Sequence, residues 1–358
     1  MTDRKRRRRA LRLPASDVAA VRSMLAGESV IDWHRLDLTS DEQIEGLLRV
    51  NAFDIQNRDD MRRLEALRSE SVDYLRRVLD VRISPDVGSR MPAWELLRAA
   101  SGRGRRQLHA CMVLKVMHII YHLDGHELQY RLPVSADELS SLVEAKVVQV
   151  VDEIRSREMA VREFSWSRKS RPSLITKLLA KPDTFASRVY DRLRFRIVVA
   201  KKSDLVPLIW ELQHRIIPFN YVIPGESVNL LVEPSDLLAV MGGGGKKALG
   251  EAVDERIFEQ ARYRPNEFSS HDYRVVNFVA DLPVRVEHFL DQLPMTEWDR
   301  DVVVTFVPAE FQILDWETAR RNEEGDSSHE AYKLRQIVRV RRRLSGGRLD
   351  GDGTDRES

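Results

Sequence analysis

The sequence predicts an α+β fold, a mixed β-sheet flanked by helices and preceded by an all-helical N-terminal domain. Three observations predict it. Apolar residues recur at helical spacing up to about Phe164, and short β-rich runs alternate with helical ones from Arg194 onward. The chain has 358 residues, 42% of them hydrophobic, which suffices for a substantial core in one large domain or two.

Taken in order, residues 1–15 read as a disordered basic arm, with six consecutive cations from Arg4 to Arg9. The helical domain spans 16–160. Thr39-Ser40-Asp41-Glu42 has the capping-box pattern ahead of Ile44, Leu47 and Leu48, where a hydroxyl and a carboxylate satisfy the first free amides of a helix. Ser135-Ala136-Asp137-Glu138 repeats it before Leu139, Leu142, Val143, Val147, Val150, Val151 and Ile154, which share one helix face. Leu108 to Tyr121 is a further apolar helix. His118, His122 and His126 recur every fourth residue. Asp124-Gly125 suggests a helix end before His126, and Ile119 stands where a zincin needs Glu. Packing histidines, not a metal site, are the expectation.

The second domain spans 161–344. Phe195 to Val199, Tyr273 to Val279, Val302 to Phe306 and Phe311 to Ile313 favour strands. Helices are expected at Leu205 to Ile216 with Ser203 as N-cap, at Leu237 to Val240, at Ala248 to Arg262 and at Val286 to Leu290. A final helix starts near Trp316 and runs toward Arg343, interrupted around Gly325. Within an insertion at about 234–270, Gly242-Gly243-Gly244-Gly245-Lys246-Lys247 lacks the first Gly and the Ser or Thr of a phosphate loop, so it reads as a hinge. Residues 345–358 read as a disordered tail.

Function enters through three blocks in order. Arg168-Lys169 precedes Ser173-x-x-x-Lys177; Tyr190-Asp191-Arg192-Leu193-Arg194-Phe195-Arg196-Ile197 opens a strand; Glu310-Phe311-Gln312-Ile313 leads to Glu323-x-Gly325 and His329-x-x-Tyr332-Lys333. This ordered set resembles the synthetase domain of the RelA/SpoT family, with its nucleotidyltransferase-like fold, which moves pyrophosphate from ATP to a guanine nucleotide. Such transfer rests on alignment and charge neutralisation, and a hard ion such as Mg²⁺ prefers carboxylate oxygens. The resemblance implies that Asp191 and Glu310 hold Mg²⁺ and carry catalysis, with Glu310 also taking the acceptor's proton. It further implies that Arg168, Lys169, Lys177 and Arg196 hold phosphates and that Tyr273 stacks on the base, with Ser173, Gln312, Glu323, His329, Tyr332 and Lys333 in support.

The chain departs from the family pattern at Leu314-Asp315, where Arg-Thr is expected, at Arg274-Val275-Val276-Asn277 and at Glu330. Three functions therefore stay open: a pyrophosphokinase using ATP and GDP or GTP, one acting on a tRNA 3′ end, and an inactive nucleotide-binding regulator. A weaker fourth makes the helical half an interaction module. Taken singly, Asp191 also reads as a surface ion pair and Tyr273 as core. Bifunctional members of the family that the chain resembles carry an N-terminal metal hydrolase with a His-Asp pair; no such pair stands in the N-terminal half here, so the resemblance implies no hydrolase activity.

Basic and acidic residues nearly balance, 58 Lys+Arg against 56 Asp+Glu, which removes any global charge argument for nucleic acid or membrane. The lone Cys111 permits no intrachain disulfide and no cysteine-based zinc site. Pro14, Asp17 and Arg22 interrupt any leader or membrane segment. A cytoplasmic protein is expected, and a homo-oligomer is compatible with the sequence.

Overall fold

The computed structural model describes residues 12–27, 38, 40–157, 159–180, 193–241, 272–290, 302–324 and 329–345. The basic arm up to residue 11, the glycine run, the expected helix at Ala248 to Arg262, Asp191, Gly325 and the tail from 346 lie outside them.

Alternating apolar and polar residues make five strands, β1 (Val161–Arg168), β2 (Leu193–Val199), β3 (Val228–Asn229), β4 (Val276–Arg285) and β5 (Val304–Asp315). They form one sheet in the order β1-β2-β5-β4-β3. Only β2 and β5 run parallel; the other pairs are antiparallel, so the sheet is mixed as expected. The runs at Val302 to Phe306 and Phe311 to Ile313 are one continuous strand, because Pro308, without an amide proton, is carried within its pairing to β4.

One sheet face is apolar. Phe195, Phe278 and Phe311 are fully buried there, with ring centroids 5.3 Å apart for Phe195 and Phe311 and 5.6 Å for Phe278 and Phe311. Each such ring is worth roughly 1.5–3 kcal/mol over leaving it in water. Helices α1 (Ala15–Ala26), α6 (Ala136–Ser156) and α8 (Leu205–Arg215) share this core. The stripe from Leu139 to Ile154 is the buried face of α6, and Ser135 with Glu138 forms its capping box. Arg12 to Pro14, assigned by sequence to the arm, instead pair with the sheet domain: Leu13 is buried and its N–H donates to Val240 O at 2.8 Å.

A second core lies among α2 (Asp41–Val50), α3 (Arg58–Arg77), α4 (Leu96–Ala100) and α5 (Gly104–Arg131). Ser40 caps α2 through Gln43, one residue later than the Thr39-Glu42 frame. Helix α5 does not end at Asp124-Gly125. A helical Gly costs about 1 kcal/mol against Ala. Here it lets α5 lie on β5, for a Cβ at Gly125 would stand 2.5 Å from the Phe306 ring. The cores meet at Tyr121, whose hydroxyl donates to Asn51 O at 2.9 Å, and at Arg285, which donates to buried Asp60 at 2.7 Å.

Three shorter helices complete the sheet domain: α9 (Pro234–Val240), α10 (Glu287–Leu290) and α11 (Trp316–Asn322). Helix α7 (Arg171–Ala180) packs on α12 (His329–Ser345) through Ala180 and Val340. Ser203 does not cap α8: a 3₁₀ turn at Lys202–Asp204 leads into it with no side-chain cap. No described helix is long and apolar enough to cross a membrane.

Candidate functional site

Strand alternation that buries Phe195 and Ile197 turns Arg194 and Arg196 to the opposite face of the sheet. The same alternation in β5 buries Phe311 and Ile313 and turns Glu310 and Gln312 outward. Parallel pairing sets Arg194 beside Glu310 and Arg196 beside Gln312. Antiparallel pairing adds Ser167 and Ser165 from β1, and Val279 and Asn277 from β4, to the same two rows. A polar face thus crosses four strands.

Its centre is Glu310, only 7% exposed. Arg194 Nε donates to Glu310 Oε2 at 2.6 Å, and Gln312 Nε2 donates to Oε1 at 3.3 Å. A carboxylate this far from water needs such partners, because desolvation outweighs an unpaired charge. Arg196 reaches Glu323 Oε1 at 3.4 Å. Asn277 leaves a buried Oδ1 with no hydrogen-bond partner among the described residues.

One end of this face is closed by Val198, Val275, Leu314 and Ala319, with Tyr273 and Trp316 packed on them. Leu314, where the family resemblance expects Arg, is 1% exposed in this cluster. Asp315, in place of Thr, caps α11 by accepting from Glu317 N and Thr318 N, each at 3.1 Å. Asn322 holds the chain after Tyr273 through Arg274, accepting from its N–H at 3.1 Å and donating to its carbonyl at 2.7 Å.

Glu310, Gln312 and Arg196 therefore share one face, with Glu323 against Arg196 and Tyr273 packed at its closed end. Arg168 does not join them. Its register with Leu193 sends it to the apolar side of the sheet, where Nε and Nη2 meet the Glu144 carboxylate at 2.6 and 2.8 Å. Hydrogen bonding to Glu144 holds its pKa above the ordinary value. Lys169 follows β1. Ser173 and Lys177 lie one turn apart on α7, with Ser173 Oγ 3.1 Å from Ser170 Oγ. His329, Tyr332 and Lys333 begin α12, whose packing on α7 brings the two motif helices side by side; Lys333 is exposed. The side chains of His329 and Tyr332, like all of Asp191, lie outside the described residues.

This architecture has counterparts. The chain is similar in structure to small alarmone synthetases. Small alarmone synthetase 2 from Bacillus subtilis shares 13% identity over 60% of this chain and 95% of its own, with a TM-score of 0.29. Small alarmone synthetase 1 from Bacillus subtilis, bound to its product pppGpp, shares 14% over 63% of this chain and 93% of its own, with a TM-score of 0.33. A GTP pyrophosphokinase family protein from Streptococcus pneumoniae shares 12% over 61% and 88%, with a TM-score of 0.29. No family model and no curated protein matches the chain. Likenesses of this size to alarmone synthetases assign no reaction.

Arg194 and Asn277 share this face although the sequence did not single them out as candidates. The signal for Arg194 was present: Arg-Phe-Arg-Ile alternates, so whatever places Arg196 also places Arg194. For metal, the polar face offers Glu310, whose Oε1 carries only the longer bond from Gln312. A hard ion held by one or two carboxylates and completed by phosphates and water fits that donor.

Proposed function

We propose that the polar face is a nucleotide site and that the protein is a Mg²⁺-dependent pyrophosphokinase, transferring pyrophosphate from ATP to the 3′-hydroxyl of a guanine nucleotide. The observation that carries this reading is the Arg194–Glu310 pair, with Arg196 and Gln312 in register one step along the same face. Transfer of this kind asks for cations against phosphate oxygens and a carboxylate beside the acceptor hydroxyl. Arg196 gives a planar fork for a phosphate once it leaves the exposed Glu323. Glu310 orients the hydroxyl and accepts its proton, and Arg194 fixes which oxygen faces the acceptor. Tyr273 offers a ring for base stacking at the closed end of the face. Asp191 and Glu310 would hold the Mg²⁺, which when bound neutralises phosphate charge; Lys169 and Lys177 would meet the donor's phosphates.

A second reading has its own observation. Both Glu310 oxygens are engaged, by Arg194 and Gln312, which suits a site that binds nucleotide without turning it over.

Incubation with γ-labelled ATP, Mg²⁺ and GDP, GTP or total tRNA separates the readings. Label in GDP or GTP that is lost in Glu310→Gln supports the pyrophosphokinase, and label in RNA moves the acceptor to a tRNA 3′ end. No transfer, with nucleotide raising the melting temperature, supports the regulator.

A further inference from the structure

Where α5 packs on β5, three side chains converge, with Asp281 two residues along β4 from Val279, the register partner of Glu310. His122 Nε2 lies 2.9 Å from Asp281 Oδ2, His126 Nε2 lies 3.3 Å from the same oxygen, and the two Nε2 atoms are 3.1 Å apart. We propose that His122, His126 and Asp281 form a binding site for one divalent transition-metal ion of the zinc type, joining α5 to β4.

The triangle has the dimensions of three ligand atoms on one face of a tetrahedron. Atoms about 2.1 Å from a common centre at tetrahedral angles stand about 3.4 Å apart, close to the spacing here. Protons satisfy the same triangle poorly, because two N–H groups aimed at one oxygen from neighbouring corners crowd each other. Asp281 supplies an independent observation. It is 5% exposed, and its Oδ1 finds no hydrogen-bond partner among the described residues. Oδ1 is the second oxygen of the same carboxylate, beside the Oδ2 of the triangle, and a buried oxygen left so is costly unless something not yet in place completes it, as a second contact from an ion held at Oδ2 would.

The donor set selects the ion. Two imidazoles and a carboxylate suit zinc and its first-row neighbours, whereas Mg²⁺ and Ca²⁺ prefer all-oxygen sites. The His122 and His126 side chains are 31% and 38% exposed, against 7% for Asp281, so the fourth position faces solvent. Spacing of four residues on α5 supplies both rings from one helix face. Gly125, between them, allows the close approach to β5 that brings Asp281 within reach. The metal would thus tie the N-terminal helical core to the sheet.

The test uses the full chain, freed of metal with a chelator and titrated with Zn²⁺ by calorimetry and with Co²⁺ by visible spectroscopy. One Zn²⁺ per chain is expected, with a raised melting temperature and the intense d–d bands of tetrahedral Co²⁺. Asp281→Asn and His126→Gln should each weaken Zn²⁺ binding by about 100-fold or more and abolish the Co²⁺ bands, with far-UV circular dichroism unchanged. Binding of neither ion by the wild type, or binding that survives in both variants, overturns the site. Should Asp281→Asn fail to fold, His126→Gln carries the test, since its ring is more than a third exposed. Nucleotide transfer is not the readout, so failure here leaves the proposed reaction standing, and the reverse.

Discussion

Arg194 on β2 and Glu310 on β5 are register partners across the parallel pair at the centre of the sheet, and Arg194 Nε meets Glu310 Oε2 at 2.6 Å. Each satisfies the other's charge on a face otherwise lined by Gln312, Arg196, Asn277 and two serines. The pair sets the direction of the carboxylate, and Oε1 carries only the longer bond from Gln312, at 3.3 Å.

Removing Arg194 leaves Glu310 with little but Gln312. Arg194→Ala is expected to cost about 1–3 kcal/mol, less than a fully buried pair because Arg194 is partly exposed. Urea denaturation of the single variants and of Arg194→Ala/Glu310→Gln checks it. Additive losses would show the two side chains to be energetically independent.

Asp60 is fully buried and accepts from Arg63, from Asp54 N at 2.7 Å and from Arg285 at 2.7 and 3.1 Å. Hydrogen bonding to Asp60 in turn holds the Arg285 guanidinium pKa well above its ordinary value. Asp60→Ala takes this acceptor from Arg63, Arg285 and the Asp54 N–H at the seam between the helical core and β4, leaving Arg285 with Glu287 and Ala52 O, and should cost about 3–5 kcal/mol. Thermal melts read the loss; a shift under a degree would show the seam is held elsewhere.

At Gly125 an added methyl group meets the Phe306 ring at 2.5 Å and Val304 O at 2.9 Å. Gly125→Ala should therefore destabilise by about 1–3 kcal/mol, although Ala is the better helix former. Phe306→Leu in the same chain should recover part of the loss, which equilibrium unfolding would detect.

His118 gives the stability a pH dependence. Burial, and secondarily His122, lowers its pKa to about 4 from 6.5, and its Nδ1 accepts from Asn220 Nδ2 at 3.2 Å. The unfolded chain therefore binds the extra proton between those values. This contribution is complete above pH 6.5 and is lost as pH falls toward 4, by on the order of 2–3 kcal/mol. Urea midpoints at both ends of that window should differ less in His118→Gln than in the wild type.

Leu314 fills the cluster with Val198, Val275 and Ala319, so the cation that the family pattern places there has no room in this chain. Leu314→Arg should cost more than about 2 kcal/mol, since it buries an unpaired charge. A stable, more active variant in the transfer assay would show that the cluster opens to the site.

Local chemistry determined much of this protein before folding is considered. Alternation wrote β2, β4 and β5, the capping chemistry of Ser135 and Glu138 started α6, and the spacing of Leu139 to Ile154 chose its buried face. That Glu310 lies on one face with Gln312, and Arg194 with Arg196, was legible because strand periodicity is local. What remained illegible depends on partners remote in sequence. Register across 116 positions made Arg194 the partner of Glu310, and it sent Arg168 to the face where Glu144 binds it. Asp124-Gly125 looked like a helix end because glycine is a poor helix former, yet packing on Phe306 outweighs that preference and carries α5 on to His126. Only the tertiary structure could then set Asp281, 155 residues away, against both histidines, because a ligand set of this kind is made by the approach of a helix to a strand.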